Sequence, residues 1–207
     1  REPGRRARLL RLADGPRACT VLDLETSGLD PHSDHILQIA AVDVTLTEAA
    51  GTVTAEPTGE WSTLVKLPRP WTRVGAREIH GITRRRLLRG IPLQEAISEL
   101  DRRLEGRIAI AHNLDFDWGF LETARERVGL PASNSPRACT LKISRSLDPD
   151  RQRSHRLGDL CREHGIVLVN AHDALADAQA TAALLPLLLS RAGGLGALQT
   201  AVDQPAL

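Results

Sequence analysis

With 207 residues, the chain is long enough for one substantial hydrophobic core and short for two, so we predict one folded domain. Its 42% hydrophobic and 26% charged residues are typical of a globular domain, and no apolar run reaches membrane-spanning length, so no membrane partner is expected. A net charge of +1 provides no global positive field of the kind that marks a nucleic-acid binder. Three cysteines without a CxxC pair argue against disulfides or a zinc site and favour a cytoplasmic location.

The first half of the chain predicts an arm followed by strands. Residues 1–17 contain six arginines and are interpreted as an N-terminal arm, with a solvated end favoured over a nucleic-acid contact. Apolar runs at about 18–26, 36–46 and 61–66 predict three strands, the last after a turn at 57–59. Their short links predict an antiparallel meander.

The second half alternates helix and strand patterns. A strand is predicted at 107–111, and helices are predicted at about 93–105, 115–128, 156–164 and 173–191. Residues 192–207 are rich in Gly and Ala and are interpreted as a loose C-terminal tail. The sum is one mixed α/β layer domain over 18–191.

Asp23 and Glu25 come near the end of the first predicted strand. Residues two apart in a strand project from the same face, so both carboxylates point one way while Leu22 and Leu24 point the other. Two acids on one face of an apolar strand repel each other unless a cation lies between them, and Mg²⁺ prefers such oxygen ligands. A solvent-exposed strand end with two ordinary surface acids is the alternative.

A third acid, Asp117, lies in the segment AHNLDFDWGFL. Phe116 and Phe120 are four residues apart and predict a buried helical stripe with Asp117 at its edge. Asp115 is predicted to be the helix N-cap, a structural role that Asp117 lacks. His112, at the end of the preceding strand, is interpreted as a hydrogen-bonded polar residue.

The segment AHDALADAQAT contains His172, Asp173 and Asp177. If Asp173 caps a helix that begins at Ala174, His172 falls on the incoming loop and can approach Asp177. The rest of this helix is almost entirely Ala and Leu, so its periodicity leaves open whether Asp177 faces the protein or the solvent. Four acids and one histidine are what phosphodiester hydrolysis with two metal ions requires, because the imidazole can accept the proton of the attacking water.

Four segments occur in the following order: Asp23-Leu24-Glu25-Thr26-Ser27-Gly28, Ile79-His80-Gly81-Ile82-Thr83, His112-Asn113-x-x-Phe116-Asp117 and His172-Asp173-Ala174-x-x-Asp177. In order and spacing they resemble the motifs of the DEDDh, or DnaQ-like, exonucleases over residues 18–190. This family includes the proofreading epsilon subunit of bacterial DNA polymerase III and ribonuclease T. A sister class uses Tyr in place of His and is excluded, because the chain contains no Tyr.

The resemblance implies a ribonuclease H-like fold, with a mixed five-stranded sheet of three antiparallel strands and then parallel ones, flanked by helices. It implies 3′→5′ exonuclease activity with two divalent cations, Mg²⁺ with Mn²⁺ as a substitute. Asp23, Glu25 and Asp177 would bind one metal, Asp117 would help to hold the other, and His172 would be the general base. Thr26, Ser27 and Gly28 would contact the terminal nucleotide, and His80 and Asn113 would lie close to the substrate strand.

Substrate and partners stay open at this point. A single-stranded or frayed 3′ end of DNA is favoured over RNA through the epsilon-subunit resemblance, because no motif reports on a 2′-hydroxyl. The same resemblance raises a polymerase partner, which no motif tests. An exoribonuclease of the ribonuclease T or oligoribonuclease type, an endonuclease, and a nucleic-acid-binding scaffold that has lost activity are the alternatives. All five predicted catalytic residues are present, which argues against the scaffold.

Overall fold

A computed structural model describes residues 15–198 and contains one five-stranded sheet. The strands are β1 (Arg17–Thr26), β2 (Ile36–Ala49), β3 (Thr52–Leu64), β4 (Ile108–Ala111) and β5 (Arg137–Cys139). The helices are α1 (Arg77–His80), α2 (Arg84–Leu87), α3 (Leu93–Leu104), α4 (Leu114–Val128), α5 (Thr140–Ser146), α6 (Leu157–Glu163) and α7 (Ala174–Arg191).

The sheet order is β3-β2-β1-β4-β5. Pairings of β1 with β2 and of β2 with β3 are antiparallel, whereas β4 pairs in parallel with both β1 and β5. This is the mixed five-stranded, ribonuclease H-like α/β fold that the sequence predicts.

Each face of the sheet is covered by helices. Cys19 and Val21 of β1 pack with residues of α5, α6 and α7, whereas Leu22 and Leu24 pack with α3 and α4. Because side chains alternate along a strand, Asp23 and Glu25 lie on the same face as Cys19 and Val21. Both acids therefore face the α7 side at the carboxyl end of the central strand.

Strand β3 is longer than predicted. It begins at Thr52 rather than near 61, and it runs through Pro57 and Gly59, which the sequence analysis interpreted as a turn. The register with β2 shifts here, so that Gly59 pairs with Asp43 and Pro57 pairs with Val44. Strand β3 is an edge strand, and an edge strand with an irregularity tolerates Pro and Gly.

Most other boundaries agree with the predictions to within one residue. The pattern did not locate β5, α1, α2 or α5, which are short elements of three to seven residues. The predicted N-cap at Asp115 is wrong: Asn113 is the cap residue, and Asp115 lies in the first turn of α4, where it pairs with Lys142 at 2.9 Å.

Packing continues beyond the end of α7. Leu195 and Leu198 are buried in the same cluster as Leu185 and Leu189, so the described part of the predicted tail contributes to the core. Residues 199–207 and residues 1–14 of the predicted arm lie outside the described residues. None of the helices in residues 15–198 is long and apolar enough to cross a lipid bilayer.

Candidate active site

Two acids of the candidate site come from the end of β1. Glu25 is 9% exposed and Asp23 is half-buried, and they follow the buried run from Cys19 to Leu22. Apolar alternation therefore directs both carboxylates to one face, as the sequence predicts.

The start of α4 brings in Asp117. Asn113 adopts a left-handed conformation (φ 72°), which Asn tolerates better than most residues, and the chain turns there from β4 into the helix. Phe116 and Phe120 form the predicted pair, with ring centroids 5.1 Å apart. Asp117 is 3% exposed, and after burial itself its charge contributes most to raising the pKa of Asp23.

The start of α7 contributes Asp177 and His172. Asp173 caps this helix as predicted, and its side chain accepts hydrogen bonds from the backbone N–H groups of Leu175 and Ala176. His172 precedes the cap in a left-handed conformation (φ 69°), and its backbone N–H donates to Oδ2 of Asp177 at 3.2 Å. The side chain of His172 is exposed, and that of Asp177 is half-buried.

The end of β1 and the start of α7 bring three possible ligands together. Glu25, His172 and Asp177 each offer a ligand atom, and the three atoms lie within 4.8 Å of one another. The geometry thus resolves the ambiguity about Asp177, which faces the end of β1 rather than bulk solvent.

The carboxylates raise one another's pKa. Burial raises the pKa of Glu25 to about 8, with a further contribution from Asp177 and then Asp173. Burial also raises the pKa of Asp23 well above its usual range, and Asp117, Asp177 and Glu25 add to the effect. The pKa values of Asp117 and Asp177 are raised mainly by burial as well.

The four acids fit a bound cation. No arginine or lysine within residues 15–198 forms an ion pair with Asp23, Glu25, Asp117 or Asp177. Oδ1 of Asp177 is buried and has no hydrogen-bond partner among residues 15–198, which is costly unless a bound group satisfies it. A hard divalent cation would bind these oxygen atoms, reduce the repulsion between the carboxylates and satisfy the unpaired oxygen.

The loop after β1 is held by its own side chains. The hydroxyl of Thr26 donates to the carbonyl of Gly28 at 2.7 Å, and that of Ser27 donates to Asp34 at 3.0 Å. A Cβ at Gly28 would lie 2.3 Å from the carboxylate of Asp34, so a larger residue there would displace this carboxylate from Ser27. The side chains of Thr26 and Ser27 thus fix the loop.

His80 and His112 have structural partners at both ring nitrogens. Nε2 of His80 donates to the carbonyl of Gly75 at 3.0 Å, and Nδ1 accepts from the backbone N–H of Ile82 at 2.9 Å. His112 contacts Thr140 through Nδ1 and donates from Nε2 to the carbonyl of His155, each at 2.9 Å. His112 is the hydrogen-bonded polar residue that the sequence predicts, and the ring of His80 holds its own loop.

Gln38 is a residue near the acids that no sequence motif indicated. It pairs with Glu25 across β1 and β2 and is 6% exposed. Its Nε2 donates to Asp173 at 3.3 Å, and its Oε1 accepts from the backbone N–H of Ala174 at 3.4 Å. One amide therefore ties the start of α7 to β2, at the position that pairs with Glu25 of β1. The available signal was a lone amide within the apolar run ILQIAAV.

A cleft of about 940 Å³ opens beside Asp177 and His172. Asn113 lies in its wall. Three arginines that the sequence analysis did not single out also line it: Arg145, Arg151 and Arg156. The cleft therefore combines the carboxylate of Asp177 with exposed positive charge.

Comparison with known proteins decides the family. The sequence model of the RNase_T exonucleases matches residues 20–185. The chain belongs to this exonuclease family.

Curated relatives of the exonuclease domain include PolC-type DNA polymerases III. That of Streptococcus suis is 33% identical over 172 residues, which is 83% of this chain and 11% of the relative. That of Halalkalibacterium halodurans is 33% identical over 166 residues, which is 80% of this chain and 11% of the relative. The chain thus spans about one tenth of the length of these polymerases.

Solved structures similar to the exonuclease domain include E. coli exonuclease I in complex with a dT13 oligonucleotide. The TM-score is 0.66 and the identity 25%, over 84% of this chain and 41% of that one. A zinc-bound E. coli exonuclease I complex with single-stranded DNA gives a TM-score of 0.67 and 26% identity, with the same coverage.

The acid cluster predicts a pH effect on the stability of the metal-free exonuclease domain. We expect the free energy of unfolding to fall as pH rises from about 4.5, the ordinary pKa of Glu25, to its folded value of about 8. In this window the folded state binds more protons than the unfolded state, so the slope of stability with pH is negative. Urea denaturation in EDTA between pH 5 and 8.5 measures it.

The matched control is Glu25→Gln, which keeps the shape and removes the titration. Burial lowers the pKa of His35, His80 and His112, and these groups act in the opposite direction in both proteins. The Glu25→Gln domain should therefore lose less stability over the same range. Identical slopes in the two proteins would contradict the raised pKa of Glu25.

Proposed function

We propose that this domain removes nucleotides one at a time from the 3′ end of a single DNA strand, with two divalent cations and His172 as the general base. The main support for the proposal is that ligand atoms of Glu25, His172 and Asp177 lie within 4.8 Å of one another. In addition, Oδ1 of Asp177 is buried and has no hydrogen-bond partner among the described residues. Such a set suits metal-assisted phosphodiester hydrolysis.

The metal ligands in this proposal are Asp23, Glu25, Asp117 and Asp177. Mg²⁺, or Mn²⁺ in its place, would supply positive charge that polarises the scissile phosphate and stabilises the leaving oxygen. Raised carboxyl pKa values and the lack of ion pairs to arginine or lysine support this assignment for the described residues. Bound cations would favour the ionised carboxylates and so offset the cost of their burial.

His172 accepts the proton in this mechanism. Water attacks the terminal phosphorus, its proton passes to a ring nitrogen of His172, and the bond to the 3′ oxygen of the preceding nucleotide breaks. The products are a nucleoside 5′-monophosphate and a strand shorter by one nucleotide. The exposed ring of His172 beside the cleft supports this role, and its backbone bond to Asp177 orients it.

Substrate contacts come from both sides of the site. We assign the loop of Thr26, Ser27 and Gly28 to the terminal nucleotide, through its backbone rather than its occupied hydroxyls. Asn113 and the arginines of the cleft wall are assigned to the strand and its phosphates: Arg145, Arg151 and Arg156. We propose that His80 lies close to the substrate strand and acts there by supporting its own loop.

DNA is the proposed substrate because the similar proteins include DNA polymerases III and an exonuclease I bound to DNA oligonucleotides. A role in proofreading beside a polymerase, or in repair, belongs to the same proposal, and the polymerase relatives favour the first. Cytoplasmic location is proposed on the three free cysteines, which a reducing compartment preserves.

The test is the digestion of 5′-labelled single strands with Mg²⁺. We expect a ladder of single-nucleotide steps on a linear DNA strand and no cutting of a circular one, because the mechanism starts at a free 3′ end. RNA of the same sequence should be cut more slowly. Cutting of the circle at the linear rate would support the endonuclease, and faster digestion of RNA would support the exoribonuclease. Binding without release of mononucleotides would support the scaffold.

A further inference from the structure

Residues 66–89 form a strongly basic surface, called here the 66–89 surface. It has one acid, Glu78, and eight exposed cations: Lys66, Arg69, Arg73, Arg77, Arg84, Arg85, Arg86 and Arg89. The whole chain has a net charge of only +1, so the rest of the molecule is net negative. None of the eight cations forms an ion pair with a carboxylate of residues 15–198.

The 66–89 surface also contains an exposed aromatic residue, Trp71. Trp71 is 74% exposed, which is unusual for a residue that normally buries most of its area. The guanidinium of Arg69 lies 5.9 Å from its ring centroid. Exposed aromatic rings among unpaired cations are how proteins bind single-stranded nucleic acid, because bases stack on the ring while cations hold phosphates.

The surface is held in shape by internal contacts. Arg84 donates to the carbonyls of Pro70 and Thr72, on both sides of Trp71. Ile82 and Leu87 are buried against Leu37 of β2. The ring of Trp71 is therefore presented on a supported loop.

The 66–89 surface adjoins the candidate active site. A Cβ on Gly75 would lie 1.9 Å from the carbonyl oxygen of Ser27, so the two loops are in direct contact. Ser27 is two residues from Glu25, and Trp71 is four residues from Gly75. Four residues span at most about 14 Å, which places Trp71 within a few nucleotides of the site.

We propose that the 66–89 surface binds the single strand on the 5′ side of the scissile nucleotide, with Trp71 stacked on a base and Arg73, Arg85 and Arg89 on phosphates. The inference rests on the proposed function and extends it to residues 66–89. Of the four exonuclease motifs, only the segment Ile79–Thr83 lies in this region. Charge complementarity and the exposed ring together favour a single strand over an acidic protein surface, which would use the cations alone.

The experiment compares a long and a minimal substrate. The long one is a 5′-labelled 20-nucleotide single DNA strand, and the minimal one is the p-nitrophenyl ester of thymidine 5′-monophosphate, too small to reach Trp71. Trp71→Ala should raise KM for the 20-mer about 5- to 100-fold and leave kcat/KM for the ester unchanged. Trp71→Phe should restore most of the affinity.

The cations are tested by salt dependence. Arg85→Gln with Arg89→Gln should reduce the slope of log KM against log salt by about 1.4, from two lost phosphate contacts. The control pair Arg102→Gln with Arg191→Gln removes the same charge from elsewhere, at arginines already paired with Glu99 and Glu163, and should leave the slope unchanged. Circular dichroism checks that each variant is folded.

The outcomes separate this inference from the proposed function. Suppose that the parent domain cleaves both substrates. An unchanged KM for the 20-mer in Trp71→Ala and in the Arg85, Arg89 double variant would then overturn strand binding by the 66–89 surface and leave the proposed function standing. If the parent domain cleaves neither substrate, the proposed function fails. Fluorescence anisotropy with the labelled 20-mer then tests whether the 66–89 surface binds a single strand. Equal binding by the parent and Trp71→Ala domains overturns this inference, and weaker binding by the variant supports it.

Discussion

Replacement of His172 by alanine should lower kcat by about 10²–10⁴-fold, the usual cost of losing a general base, with cation affinity nearly unchanged. The backbone N–H that donates to Asp177 is retained in this variant, so the position of the carboxylate should persist. No other described histidine of the motifs can replace it, because both ring nitrogens of His80 and of His112 are already bonded. Single-turnover kinetics with saturating Mg²⁺ measures the loss.

Two controls accompany this variant. His172 has a left-handed backbone conformation that is unfavourable for alanine and better tolerated by asparagine. His172→Asn therefore separates the effect of backbone strain from the loss of the imidazole. Asp173→Ala removes the cap of α7 and should cost about 1 kcal/mol of stability while leaving more activity than either variant of His172. Near-normal turnover in both variants of His172 would refute its role as the base.

Replacement of Asp177 by asparagine should reduce cation affinity and turnover together. Removing a residue that hydrogen-bonds to a metal ligand typically lowers metal affinity or activity about 10–100-fold. Removing a ligand itself should lower them at least as much. Titration calorimetry with Mn²⁺ and steady-state kinetics measure the two effects. Activity of the parent domain should also disappear in EDTA and return with Mg²⁺.

The same substitution should stabilise the metal-free protein. Burial raises the pKa of Asp177, so its ionised form is unfavourable in the folded state at neutral pH, and asparagine removes that cost. Asp115→Asn is the matched control, since Asp115 is an exposed acid paired with Lys142 and should affect neither cation affinity nor turnover. Full activity in EDTA, or a normal Mn²⁺ affinity in Asp177→Asn, would contradict the metal assignment.

Features that depend on short-range geometry were predictable from the sequence. The shared face of Asp23 and Glu25 follows from strand alternation, the contact of Phe116 with Phe120 follows from helical spacing, and the cap at Asp173 follows from its residue type. The order of the motifs predicted the exonuclease family and, through it, the sheet topology.

Features that depend on what packs against a residue were not predictable. Pro57 and Gly59 resemble a turn until the partner strand shows that they lie in an irregular edge strand. His80 belongs to a functional motif, yet its neighbours Gly75 and Ile82 occupy both ring nitrogens.

The sequence by itself determined the family, the fold class and the set of residues that carry the proposed chemistry, because motif order and local periodicity are properties of the chain alone. The tertiary structure decided that Asp177 faces Glu25 rather than solvent, and that Gln38 ties β2 to the start of α7. It also brought the basic segment around Trp71 against the loop of Ser27. These contacts join residues far apart in the chain, and their partners are set by the packing of the sheet and helices rather than by any local pattern.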